Sequence, residues 1–182
     1  MQKKSKNQVV NLCLASIMAA LYVGLDFLAT TLSTALGGSM KISFSGLAVI
    51  IVAVFAGPIW GAASGFVGAF IGQMITYGFS ATTLLWVSPA VIRGLVMGLL
   101  FIAFKKSLKP HILLIETVIS SLLVTAANTV VMYIDSKMYG YYSYAYVFGG
   151  IAPRVVSGVL TAMVFAFIVP PIIKVLYKKF AK

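Results

Sequence analysis

Apolar runs of about 15–25 residues, separated by short stretches rich in glycine, proline or lysine, set the pattern of this chain. Runs of that length fit membrane-spanning helices of about 20 residues. Barrel strands would instead alternate polar and apolar over about 10 residues. The runs predict six helices, over residues 9–29, 44–56, 59–77, 89–104, 112–134 and 153–177. The chain therefore reads as a single transmembrane domain over 1–182, an all-α integral membrane protein. The second run is short for a span and needs little tilt, an extension from the preceding loop, or shielding by its neighbours.

Small residues mark where helices approach each other. Ala15-Ser16-Ile17-Met18-Ala19 is a small-xxx-small pattern that serves internal packing or a partner subunit equally well. Gly61, Gly65, Gly68 and Gly72 put a smooth face on the third helix and predict that its backbone lies inside the bundle. Gly57-Pro58 predicts a tight turn, Pro89 a helix start, and Pro170-Pro171 a kink in the last helix.

Composition supports the membrane reading: 61% of residues are hydrophobic and only 9% charged, against about 25% in soluble domains. Lys3, Lys4 and Lys6 before an apolar stretch resemble a signal peptide, but the stretch runs on to Thr30, which predicts a retained first helix. Cys13 is alone, so no intrachain disulfide forms, and His111 lies in a basic loop. The net charge of +11 sits at the ends of apolar runs rather than on one soluble face, which argues against a nucleic-acid partner.

The same charges predict orientation. Lys3, Lys4, Lys6, Lys105, Lys106, Lys109, Lys174, Lys178, Lys179 and Lys182 fall on the side that holds both termini. Only Lys41, Lys137 and the two arginines lie toward the other. The positive-inside rule then places both termini in the cytoplasm of a multi-pass protein of the bacterial cytoplasmic membrane. With that orientation, Asp26, Gln73, Arg93, Asn128 and Arg154, from five helices, all fall in the outer leaflet, while Glu116 sits at the inner interface. This predicts a polar pocket open to the outside.

Arg93 is its centre. An arginine inside an apolar helix costs roughly 2.5–3.5 kcal/mol on insertion scales and marks a site unless it snorkels or pairs with an acid such as Asp26. Arg93, Arg154 and Lys41 outweigh Asp26 and Asp135, so an anionic ligand is favoured, and a guanidinium grips a carboxylate bidentately. Phe44, Trp86 and the tyrosines of residues 135–152 form either a lid over this pocket or an interfacial aromatic belt. The chain has no nucleotide-binding sequence, no cluster of metal ligands and no serine or cysteine with a base nearby, so neither an enzyme nor a resident cofactor or metal is expected. No inverted repeat supports a self-sufficient carrier.

Four segments, Ala15–Ala19, Lys41-Ile42-Ser43-Phe44, Phe55-Ala56-Gly57-Pro58-Ile59-Trp60-Gly61-Ala62 and Pro89-Ala90-Val91-Ile92-Arg93-Gly94-Leu95, together give a resemblance over essentially the whole chain. It resembles the substrate-binding S component of an energy-coupling factor (ECF) vitamin transporter. The resemblance implies a chain that binds a vitamin or precursor at the outer side and docks on a membrane coupling subunit through Ala15 and Ala19. Two partner ATPases would supply the energy. Among ligands, thiamine is cationic and does not suit a positive site. Folate-type S components usually carry a Pro-Thr-Gly-Ala-like stretch where this chain has Tyr77-Gly78-Phe79-Ser80-Ala81-Thr82-Thr83. Pantothenate, a small carboxylate with hydroxyls and an amide, suits Arg93, Asn128 and a tyrosine, here Tyr133, with Lys41, Phe44, Gln73, Trp86 and Arg154 as further candidates. Folate and pyridoxine forms stand behind it, and a small membrane scaffold without a ligand is the alternative outside transport.

Overall fold

The computed structural model describes the backbone of residues 2–35 and 43–180, and side chains from residue 8 onward within those ranges. Among the described residues the chain is entirely helical: α1 Gln2–Ala35, α2 Ser45–Ala56, α3 Pro58–Tyr77, α4 Thr83–Ala103, α5 Pro110–Met138, α6 Tyr144–Phe148 and α7 Ile151–Phe180. Five stretches are long and apolar enough to cross a membrane: Gln8–Ala35, Pro58–Tyr77, Thr83–Ala103, Pro110–Met138 and Tyr144–Phe180.

The remaining apolar helix, α2, is 12 residues long. At 1.5 Å per residue it extends only about 18 Å. It is apolar on every side, and Ala48 through Val54 are at most 3% exposed. A helix of that kind belongs inside a bundle. Here α1, α3, α4 and α7 all pack against it, so its neighbours shield it.

Glycines bring α3 and α4 into backbone contact. A Cβ on Gly65 would lie 2.6 Å from the Ala90 carbonyl oxygen, and one on Gly98 would lie 2.5 Å from Pro58 Cα. Gly61 meets Ala53 of α2 in the same way, at 2.6 Å. The smooth face read from the sequence is thus the middle of the bundle. The turn into α3 is a single residue, Gly57, whose φ of 100° is open to glycine but strained for other residues.

Several boundaries differ from the sequence expectation. Pro89 does not start α4, which begins at Thr83 and carries Pro89 inside it, buried. Proline cannot donate to the carbonyl four residues back, here that of Leu85. Ser88 Oγ donates to the Leu85 oxygen instead, at 2.7 Å, which lets the helix run through. Arg93 consequently lies ten residues, about 15 Å, into its helix rather than just over one turn. α1 and α5 are longer than the apolar runs that announced them. α7 starts at Ile151 and continues through Pro170-Pro171. The tyrosine-rich connection contains a helix of its own, α6.

The two ends of the bundle differ in kind. Toward the lysine-rich end, Ile50, Val54, Met97, Phe101, Leu113, Phe165 and Val169 form one apolar core joining α2, α4, α5 and α7. Toward the other end, where α4 and α7 begin and α5 finishes, the helices separate around a polar cavity.

Candidate ligand cavity

All seven helices, α6 through Tyr146 alone, contribute to one cavity of about 730 Å³. That size lies within the 300–1,000 Å³ typical of small-molecule sites. Its wall on α5 and α7 is a ladder of hydroxyls and an amide: Ser121, Thr125 and Asn128 on one helix, Ser157 and Thr161 on the other. Spacings of three and four put each set on one helix face.

Arg93 projects into this cavity from α4. Its guanidinium lies against the backbone of α2: a Cβ on Gly46 would be 3.0 Å from Cζ, Nε and Nη1 together. Only glycine leaves the guanidinium that position. Beside it, Tyr22 of α1 hydrogen-bonds Ser45. The Tyr22 ring is itself packed on Gly68 of α3, where a Cβ would lie 2.9 Å away. Asp26, one turn along α1, accepts from Ser43 Oγ at 3.3 Å and Ser45 Oγ at 3.5 Å. No acceptor among the described residues takes a hydrogen bond from Arg93. A positioned guanidinium with unused donors has the fork geometry that suits a carboxylate.

Arg154 is differently engaged. Its Nε donates to the Gly150 carbonyl at 2.9 Å and its Nη2 to that of Val147 at 2.7 Å. Nη1 lies 3.4 Å from Thr129 Oγ1 and 3.0 Å from Met132 Sδ. The charge sits at the C-terminal end of α6, where cations are favoured. Arg154 lines the cavity but spends its fork on fastening α6 to α5 and α7.

Asp135 fastens the mouth. It accepts from Trp86 Nε1 at 3.2 Å and from the Tyr141 hydroxyl, and Thr82 hydrogen-bonds it as well. One buried carboxylate thereby ties the start of α4 and the tyrosine loop to α5. The bond to Asp135 also pushes the Tyr141 phenol well above its usual range, because losing its proton would set two anions side by side.

Of the residues expected at the site, Arg93, Asn128, Gln73, Trp86 and Arg154 line the cavity. Lys41 lies outside the described residues. Phe44 does not line it: its ring stands edge-on to Phe165, 6.1 Å between centroids, and is 39% exposed. Tyr133 does not either. It faces outward, 43% exposed, edge-on to Tyr142 with the Lys137 amine over its ring. The tyrosine loop divides: Tyr139, Tyr141 and Tyr146 line the cavity, whereas Tyr142 and Tyr144 stay on the outer surface. Tyr22 and Gly46 were missed by sequence reasoning. Tyr22 had a signal, standing one turn before Asp26 on the same face; Gly46 had none without the fold.

Ala15 and Ala19 are buried, 6% and 3% exposed, and Ser64 of α3 donates to the Ala15 carbonyl at 3.1 Å. In this structure their small faces serve the chain's own α1–α3 packing.

The described residues thus form a helical bundle with five helices long enough to cross a membrane and a polar cavity lined by Arg93 and a wall of hydroxyls. The family model of the ECF transporter substrate-specific component matches residues 4–173, and the chain belongs to that family. No curated protein and no solved structure gives a significant match. Membership makes the chain an integral membrane, substrate-binding subunit of an ECF importer rather than an enzyme. It associates with an ECF coupling subunit and with ATPases that carry the hydrolytic activity.

Proposed function

We propose that the chain captures pantothenate, with the carboxylate on Arg93 and the hydroxyls and amide on the Ser121–Thr125–Asn128 and Ser157–Thr161 ladder. The observation that carries this reading is the guanidinium of Arg93, held on Gly46 with no acceptor among the described residues. One arginine with free donors is enough to choose an anion, and the ladder then favours a hydroxylated one. The mouth faces outside and both termini lie in the cytoplasm, in keeping with the ten lysines at the opposite end.

Mass spectrometry of the ligand released from purified protein, followed by calorimetry with pantothenate, tests this. Pantothenate is expected in the released fraction. Recovery of folate or a pyridoxine form instead would replace the ligand but keep the site, and a protein that never holds a small molecule would favour a scaffold role.

Docking on the coupling subunit is placed on α1. Since Ala15 and Ala19 are buried, the partner meets the other shoulder of the same segment, where Ser16 and Ala20 are exposed. Ala20→Trp is expected to prevent copurification of the coupling subunit while leaving ligand affinity within about twofold, because the side chain points away from the cavity. Ala15→Trp is expected to lower thermal stability as well, since it intrudes on α3. Unimpaired copurification of the Ala20→Trp protein would move the docking face elsewhere.

A further inference from the structure

The lysine-rich half of the bundle contains a group that the ligand cavity does not use. Glu116 on α5 is 0% exposed, and neither of its carboxylate oxygens has a hydrogen-bond partner among the described residues. Ser120 Oγ, one turn along the same face, is also buried without a partner. Leu113, one turn before Glu116, belongs to the apolar core with Met97, Phe101 and Phe165, and Thr117, the next residue, donates to the Ala162 carbonyl of α7.

The charged and titratable groups on the elements packed against α5 are few. α4 has Arg93, beyond the apolar core, with Lys105, Lys106 and Lys109 in the turn that follows it. α7 has Arg154 at the cavity end and Lys174, Tyr177, Lys178 and Lys179 at the other, and α6 has Tyr144 and Tyr146. On α5 itself are His111, Tyr133, Asp135 and Lys137. None of them hydrogen-bonds Glu116. A carboxylate buried without a counter-charge is strongly disfavoured, whereas the neutral acid brings its own donor.

We propose that Glu116 is a proton-binding site, occupied at neutral pH, with Ser120 Oγ as the acceptor that its O–H reaches by side-chain rotation.

Infrared spectroscopy of the purified full chain reads the site directly, because Glu116 is the only glutamate among the three acidic residues. With isotope-labelled glutamate incorporated, a label-shifted C=O band of an un-ionised carboxylic acid, sensitive to deuterium exchange, is expected at neutral pH. It is expected to vanish in Glu116→Gln and to persist in Asp26→Asn. The labelled wild-type protein decides the matter even where the glutamine variant does not fold. A label-shifted band confined to the carboxylate region overturns the proposal. So does an acid band that appears only when sodium is replaced by choline, which would make the site one for a metal cation.

Discussion

Arg93→Gln is expected to remove measurable pantothenate binding while leaving the bundle assembled. The arginine is the cavity's one cation with unused donors among the described residues, because Arg154 is committed to the carbonyls of Val147 and Gly150. Losing one partner of a desolvated, hydrogen-bonded charge pair costs about 2–5 kcal/mol in binding. That is a fall in affinity of roughly 30- to 4,000-fold. Stability should move the other way or stay level, since an arginine inside a membrane helix costs roughly 2.5–3.5 kcal/mol to insert. Arg93→Lys keeps the charge but loses the planar fork resting on Gly46, so it should recover only part of the affinity. Calorimetry and thermal unfolding in detergent give the two readouts. Full affinity in the glutamine variant would take the carboxylate away from Arg93.

Much of this site could be read from the chain because intramembrane polar residues are rare enough to be informative one at a time. Asp26, Gln73, Arg93, Asn128 and Arg154 were all placed at one end of the bundle by depth alone, and all five line the cavity. What separates Arg93 from Arg154 was not readable. It depends on α6, a five-residue helix inside a stretch whose tyrosines suggest only a loop or belt. The start of α4 was misread because a proline after polar residues suits a first turn, and sequence pattern does not reveal that Ser88 replaces the missing bond. Glu116 follows Pro110 by six positions and so reads as interfacial. Its burial is a tertiary fact: this turn of α5 packs against α7, where Thr117 donates to the Ala162 carbonyl. Likewise, Ala15 and Ala19 announce that something packs closely without saying whether it is α3 or another subunit.

Gly94→Val is expected to be the most damaging single change to the fold, and the reason lies in which atoms the new side chain meets. A Cβ there would strike the Gly61 carbonyl carbon and come within 2.5 Å of the Ala62 nitrogen, both backbone atoms of α3. Neither can rotate aside, so α3 and α4 must separate along their shared face. Overpacking of this kind typically costs 1–3 kcal/mol, and more where the obstacle is main chain. The loss is compounded because Gly65 on Ala90 and Gly98 on Pro58 depend on the same approach. Gly72→Ala is the control. It lies on α3 with nothing within 4 Å of its would-be Cβ, and should be neutral or stabilising by up to about 1 kcal/mol through helix propensity. The yield of folded protein and its thermal midpoint compare the two. Gly94 also neighbours Arg93, so any protein that does fold with valine has α4 displaced from α2 and its guanidinium lifted off Gly46. Ligand affinity should then fall further than stability alone accounts for. A Gly94→Val protein that keeps both wild-type stability and full affinity would show that the α3–α4 contact is not what holds the arginine in place.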